Sequence, residues 1–210
     1  MIQPIVEGHG EVEAAPVLLR RLVNEAKVFD LKVGKPIRKN RSELVNRESL
    51  LKAVKVALLK PGCRAILILF DSDDDCPKDL AGTVEGWAKQ EARNVPCAVV
   101  MAHREYEAWF LASIESLRGK HRIRLDAEPH PRPEGPRDAK GEFEQRMVAR
   151  TTYSETADQA PLSATFDMRN AYVRCRSFRR MVKAFGELAS GMGIGLPEWP
   201  PSSWKEGTTT

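Results

Sequence analysis

Acidic residues at the ends of apolar runs carry the chemistry this chain could perform. Glu7 follows the short segment Ile2–Val6 and precedes a Gly-His-Gly turn. Asp71, Asp73 and Asp75 belong to FDSDDD, at the end of the most apolar run, Ala65–Phe70. Glu105 and Glu107 follow a third run, PCAVVMA. Carboxylates crowded beside apolar strands repel one another and are costly to hold there unless a cation neutralises them. Such hard oxygen donors suit Mg2+ or Mn2+. A cation held this way polarises a phosphate, prepares a water or hydroxide and offsets charge on the leaving oxygen.

Spacing sorts these acids. Asp71 and Asp73 are two residues apart, so an extended backbone points both to one side and Asp74 to the other. Asp75 extends the cluster. Glu11, four residues after Glu7, either complements a helix start or joins the ligand set. A helix spanning Glu105–Leu117 would separate Glu105 and Glu107 by about 200°, so only one of them would face a given cation. FDSDDD alone reads equally well as a solvated acidic turn. His9 and His103 also fall near strand ends, where a lone histidine is more often structural or exposed than catalytic. Tyr106, Trp109 and Phe110 read as core rather than as a stacking platform.

The elements that must position these groups alternate. Ile2–Val6 reads as a strand, Glu11–Lys27 as a helix and Phe29–Val33 as a strand. Ser49 is the expected N-cap of a helix Leu50–Lys60 that stops at Pro61-Gly62. Ala65–Phe70 is a strand covered on both faces. A helix Asp79–Arg93, a strand after Pro96 and a helix Glu105–Leu117 follow. This β-α alternation predicts an α/β fold: a Rossmann-like, mostly parallel sheet flanked by helices, with sites outside the carboxyl ends of the strands. Four prolines (129, 131, 133 and 136) mark a linker. Helical pattern returns over Ala139–Arg150 and Met168–Ser190, and the tail from Gly191 reads as irregular. The expected organisation is a catalytic domain over 1–118, a basic, proline-rich linker over 119–138, a C-terminal helical subdomain over 139–190 and a tail over 191–210.

Composition narrows the class. The chain has 210 residues, 42% hydrophobic and 30% charged, which fits a folded core and argues against global disorder. No apolar run is long enough to cross a bilayer. The amino terminus lacks a basic region and meets an acid at its seventh residue, unlike a signal peptide. Four cysteines without a CxxC pair make a zinc site or a disulfide framework unlikely candidates and point to a reducing cytoplasm. The net charge of +4 is too small to diagnose a nucleic-acid binder. Its distribution says more: six basic residues and no acid lie between Arg169 and Lys183. Arg176, Arg179, Arg180 and Lys183 recur at helical spacing, with Arg174 just before them, and such a face could hold a phosphate backbone. An ordinary solvated helix face is the competing reading. RGKHRIR (118–124) is a second basic stretch.

VEGHGE followed by ILILFDSDDD resembles the TOPRIM domain of topoisomerases, primases and OLD-type nucleases. The segments HREYEAWFLAS and YVRCRSFRRMVKAF are similar to DUF4276, a TOPRIM-like family of unknown function found in mobile or defence-related bacterial loci. The TOPRIM-like part covers about residues 1–118 and the wider resemblance most of the chain. The resemblance implies that Glu7 is a metal ligand or acid–base group and that Asp71 and Asp73 are metal ligands. Glu11 and Asp75 are then further ligands, and Glu105 or Glu107 additional ones. It implies a Mg2+- or Mn2+-dependent nuclease acting on nucleic acid, DNA rather than RNA, beside an ATPase encoded nearby. Arg174, Arg176, Arg179, Arg180 and Lys183 would hold the backbone. The other reading is a non-catalytic module that binds nucleic acid or a partner ATPase. A haloacid-dehalogenase-like phosphatase ranks lower, because there the DxD follows the first strand. Oligomeric state stays open.

Overall fold

A computed structural model describes residues 1–205. Four strands, β1 (Ile2–Val6), β2 (Ile37–Arg38), β3 (Ala65–Asp71) and β4 (Cys97–Ala102), form one parallel sheet in the order β2-β1-β3-β4. Helices α1 (His9–Glu25), α2 (Arg41–Leu44), α3 (Arg47–Leu58) and α4 (Pro77–Ala92) supply the crossovers. After β4 come α5 (Ala108–Leu111), a 3-10 turn (Ile114–Leu117), α6 (Ala139–Glu144), α7 (Glu155–Thr165), α8 (Met168–Arg174), α9 (Arg176–Gly191) and α10 (Ser202–Lys205). The expected Rossmann-like α/β architecture is what the chain adopts.

The unbroken apolar run of β3 is explained by cover on both faces. Ile66, Ile68 and Phe70 join an apolar cluster with Leu50, Val54 and Ala57 of α3 and Val84 and Ala88 of α4. Leu67 and Leu69 join a second one with Leu18 and Leu22 of α1 and Phe178, Val182 and Phe185 of α9. That second cluster also takes Phe143, Tyr153, Leu162 and Phe166, so residues expected in a separate C-terminal unit share the apolar core of the sheet.

Several boundaries differ from expectation. The second strand lies at Ile37–Arg38, not Phe29–Val33: Val33 makes a single bridge to Ile2, and pairing with β1 resumes at Ile5–Ile37. Pro4 and Pro36 fall between those points, and neither has an N–H to give a ladder. The cap of α3 is Asn46, whose side chain accepts from the Ser49 N–H, so the helix starts at Arg47. The helix expected over Glu105–Leu117 begins only at Ala108 and breaks after Leu111. Ala139–Arg150 is helical only to Glu144, and Met168–Ser190 is interrupted at the extended Cys175. Helix α7, which contains Pro161, was not expected at all.

The tail is also more ordered than its composition suggests. Trp199 donates from Nε1 to the Val182 carbonyl at 2.8 Å and packs on Phe185, and Trp204 is buried. Residues 206–210 of the expected irregular tail lie outside the described residues. Among the described residues no helix is long and apolar enough to cross a membrane.

Candidate active site

Parallel pairing sets β1 and β3 side by side, with Val6 opposite Leu69, so the residues that follow each strand meet at the same sheet end. There the Asp71 N–H donates to Glu7 Oε2 at 3.3 Å. Burial is the first cause that raises the Glu7 carboxyl above its usual range, with Asp73 and Glu155 adding to it and Arg41 opposing.

Glu11 lies at the start of α1, almost fully buried, and its carboxylate folds back toward the Gly8 amide. A Cβ on Gly8 would stand 2.1 Å from Glu11 Oε2, and one on Gly10 would stand 2.3 Å from Gln159 Oε1 and 2.8 Å from the Glu155 carbonyl. The Gly-His-Gly turn is therefore glycine-rich for close approach: one glycine admits a carboxylate and the other admits α7. His9 between them is exposed.

Glu105 and Glu107 both reach this place. Because α5 starts only at Ala108, the helical separation expected for the pair does not apply. Glu105 Oε2 accepts from the Lys140 N–H at 2.8 Å. Glu107 is buried and its Oε1 accepts from Tyr153 Oη at 2.7 Å and Gln159 Nε2 at 3.4 Å. Desolvation by burial pushes Glu11 up to about 7 and Glu107 up to about 7, and neighbouring carboxylates push the same way. Asp71 is raised well above the carboxylate range, by burial first and then by Glu11, Glu107, Glu7 and Glu105. Five carboxyl groups thus share one poorly solvated region.

The remaining acids of FDSDDD pair with arginines. Asp73 sits in the left-handed region (φ 48°), exposed, 3.3 Å from Arg41 Nε. Asp75 pairs with the same guanidinium, which also donates to the Asp71 and Ser72 carbonyls and lies 5.8 Å from the Phe70 ring. Asp74 is exposed and pairs with Arg104 and Arg137. Arg41 therefore clasps the whole loop, a role its position in sequence does not announce.

The basic face foreseen on α9 is mostly committed within the chain. Arg174 donates to the Ala112 carbonyl and Glu115, and Arg179 to the Tyr172 and Val173 carbonyls. Arg180 binds Glu85 and Glu187, and Lys183 lies 3.7 Å from Glu187. Only the side chain of Arg176, of these five, has no such partner among the described residues. The cations that border the carboxylates are others. Arg38 donates to the Glu7 carbonyl at 3.4 Å. Lys140 Nζ lies 2.6 Å from Glu155, and its hydrogen bond to that residue, with Glu107 and Glu105 nearby, raises its pKa.

Among the described residues no group of three or more His, Cys, Asp or Glu side chains is placed to hold a metal ion. The acids are hard oxygen donors, the type a divalent cation takes. Asp71 Oδ1 is buried with no hydrogen-bond partner, and the raised carboxyls around it can lower their energy only by keeping protons or by sharing a positive charge.

Sequence reasoning found Glu7, Glu11, Asp71, Glu105 and Glu107 and missed Tyr153, Lys140 and Arg41. A family model described as Domain of unknown function (DUF4276) matches residues 6–185. No curated protein and no solved structure matches the chain.

Proposed function

The chain belongs to the DUF4276 family, and from that premise we propose that its carboxylate cluster is the centre of a divalent-metal-dependent phosphodiesterase, a nuclease of TOPRIM type. One observation carries the reading: Glu7 and Asp71, from the ends of adjacent strands, are hydrogen bonded to each other, with an unpartnered buried Asp71 oxygen and three further carboxyls around them. Glu7 and Asp71, with Glu11, Glu105 or Glu107, would hold Mg2+ or Mn2+. When bound, the ion would polarise the phosphate and supply a nucleophilic water near neutral pH.

The chain's own groups do the rest. Glu107 is oriented by Tyr153 and Gln159 through Oε1, and with a pKa of about 7 it can keep or release a proton at Oε2 near neutrality. Lys140, Arg38 and Arg41 place positive charge at the rim, where a phosphate backbone must approach carboxylates that would otherwise repel it. Asp73 is paired with Arg41, so in this proposal it supports the rim instead of joining the first set of ligands.

The test is incubation of the purified chain with single- and double-stranded DNA and RNA in Mg2+ or Mn2+. Cleavage that needs the metal and is lost in Asp71→Asn and Glu7→Gln is expected. Cleavage that both variants retain, or no Mn2+ binding by calorimetry, overturns the assignment.

A further inference from the structure

Strand β4 is the sheet edge, and along it α4 and α9 wall a cleft of about 630 Å3. Its floor is apolar, from Val99 and Met101 of β4 and Ala81 of α4, while Lys78, Arg176 and Arg180 give it cations. Arg180 is held by Glu85 at 2.9 Å and Glu187 at 2.6 Å. The side chains of Lys78 and Arg176, in contrast, have no hydrogen-bond or ion-pair partner among the described residues. The one acid that lines the cleft, Glu85, is neutralised by Arg180 and Lys89 and also accepts from the Val99 N–H. His103 borders the same space, and its Nδ1 is buried without a hydrogen-bond partner. Buried polar atoms are nearly always paired, so a turn of the ring that brings this nitrogen to the cleft lets a ligand pair it. None of these residues belongs to the carboxylate cluster.

We propose that this cleft binds a small organic phosphate with an apolar body, of mononucleotide size. Its volume falls within the range of small-molecule sites, which combine apolar walls with a few placed polar groups. The apolar body rests on Val99 and Met101, and His103 takes one polar atom of that body. Arg176 and Lys78 take the phosphate, where two unpartnered cations match a dianion.

The probes are AMP, CMP, adenosine and inorganic phosphate, titrated calorimetrically into the full chain in EDTA so that the carboxylate site stays without metal. The nucleotides are expected to bind with Kd below about 1 mM, and adenosine and phosphate each at least about tenfold more weakly. Arg176→Ala should weaken nucleotide binding at least about tenfold. Gly82 supplies an independent variant. It lines the cleft, and a Cβ built on it meets nothing within 4 Å, so Gly82→Leu fills the cleft while leaving the helix intact. That variant should keep or raise its melting temperature and lose nucleotide binding. Absence of nucleotide heat up to about 5 mM, phosphate binding as tightly as the nucleotides, or affinity unmoved in R176A and G82L would each overturn the proposal.

Discussion

The backbone N–H of Asp71 rests on the carboxylate of Glu7, which joins the ends of two neighbouring parallel strands through the side chain of one and the main chain of the other. A single register thus decides whether the candidate centre exists. A one-residue slip of β3 against β1 would send Asp71 to the opposite face of the sheet.

Burial of the acids gives the metal-free protein a signed response to pH. Glu11 and Glu107 titrate near 7 when folded and near 4.5 when free in water, so between those values the native state holds more protons than the unfolded chain. Stability must therefore fall as pH rises from about 4.5 to about 7. Thermal melts in EDTA should show a higher Tm at pH 5 than at pH 8, and Mn2+ should recover most of the loss at pH 8. A Tm that climbs with pH and ignores Mn2+ contradicts this.

Glu107→Gln removes one of those ionisations while its amide oxygen can still accept from Tyr153 and Gln159. The variant is expected to be more stable than the parent at pH 8 by on the order of 1–3 kcal/mol, and flatter in its pH dependence. Metal-dependent cleavage should fall at least about a hundredfold if Glu107 handles a proton. Urea titrations at pH 5 and pH 8, beside cleavage rates, read both effects.

Two glycines separate close approach from mere flexibility. Gly10→Ala drives a Cβ against the Glu155 carbonyl and Gln159, and should cost about 1–3 kcal/mol by forcing α1 from α7. Gly86→Ala, in α4, meets nothing within 4 Å and should add about 0.5–1 kcal/mol. Chemical denaturation of the two variants should give opposite signs.

Arg41 is replaceable by nothing shorter or less branched. Arg41→Lys keeps the charge but cannot serve two backbone carbonyls and two carboxylates together. Both Arg41→Lys and Arg41→Ala should speed amide exchange over residues 72–76 while β3 itself stays protected. Unchanged exchange in the loop would show that the clasp is not what holds it.

The legible part of this molecule was the part written locally. Ala65–Phe70 could be read as a doubly covered strand because every one of its residues is apolar, and Glu7 and Asp71 could be paired because strand ends in a parallel sheet share an edge. What the sequence did not disclose depends on distant partners. Glu107 is oriented by Tyr153 and Gln159, about fifty residues further on, and Arg41 meets the Asp75 carboxylate 34 residues away. Helix α7 escaped notice because Pro161 interrupts its pattern and its burial comes from packing on α1. The second strand was misplaced because two prolines displace the pairing to Ile37 and Arg38, and two residues are too few to show a strand pattern.

The packing of α7 on α1 has a consequence for what a shorter chain would be. Tyr153, Glu155 and Gln159 come from beyond the sheet, yet they form part of the wall that keeps water from Glu11 and Glu107. A fragment ending after β4 and α5 would keep all five acids in order along its sequence and still lose their shared low-dielectric surroundings. Its glutamates would titrate as they do in a free peptide, because the insulation that makes them unusual is donated by the second half of the polypeptide.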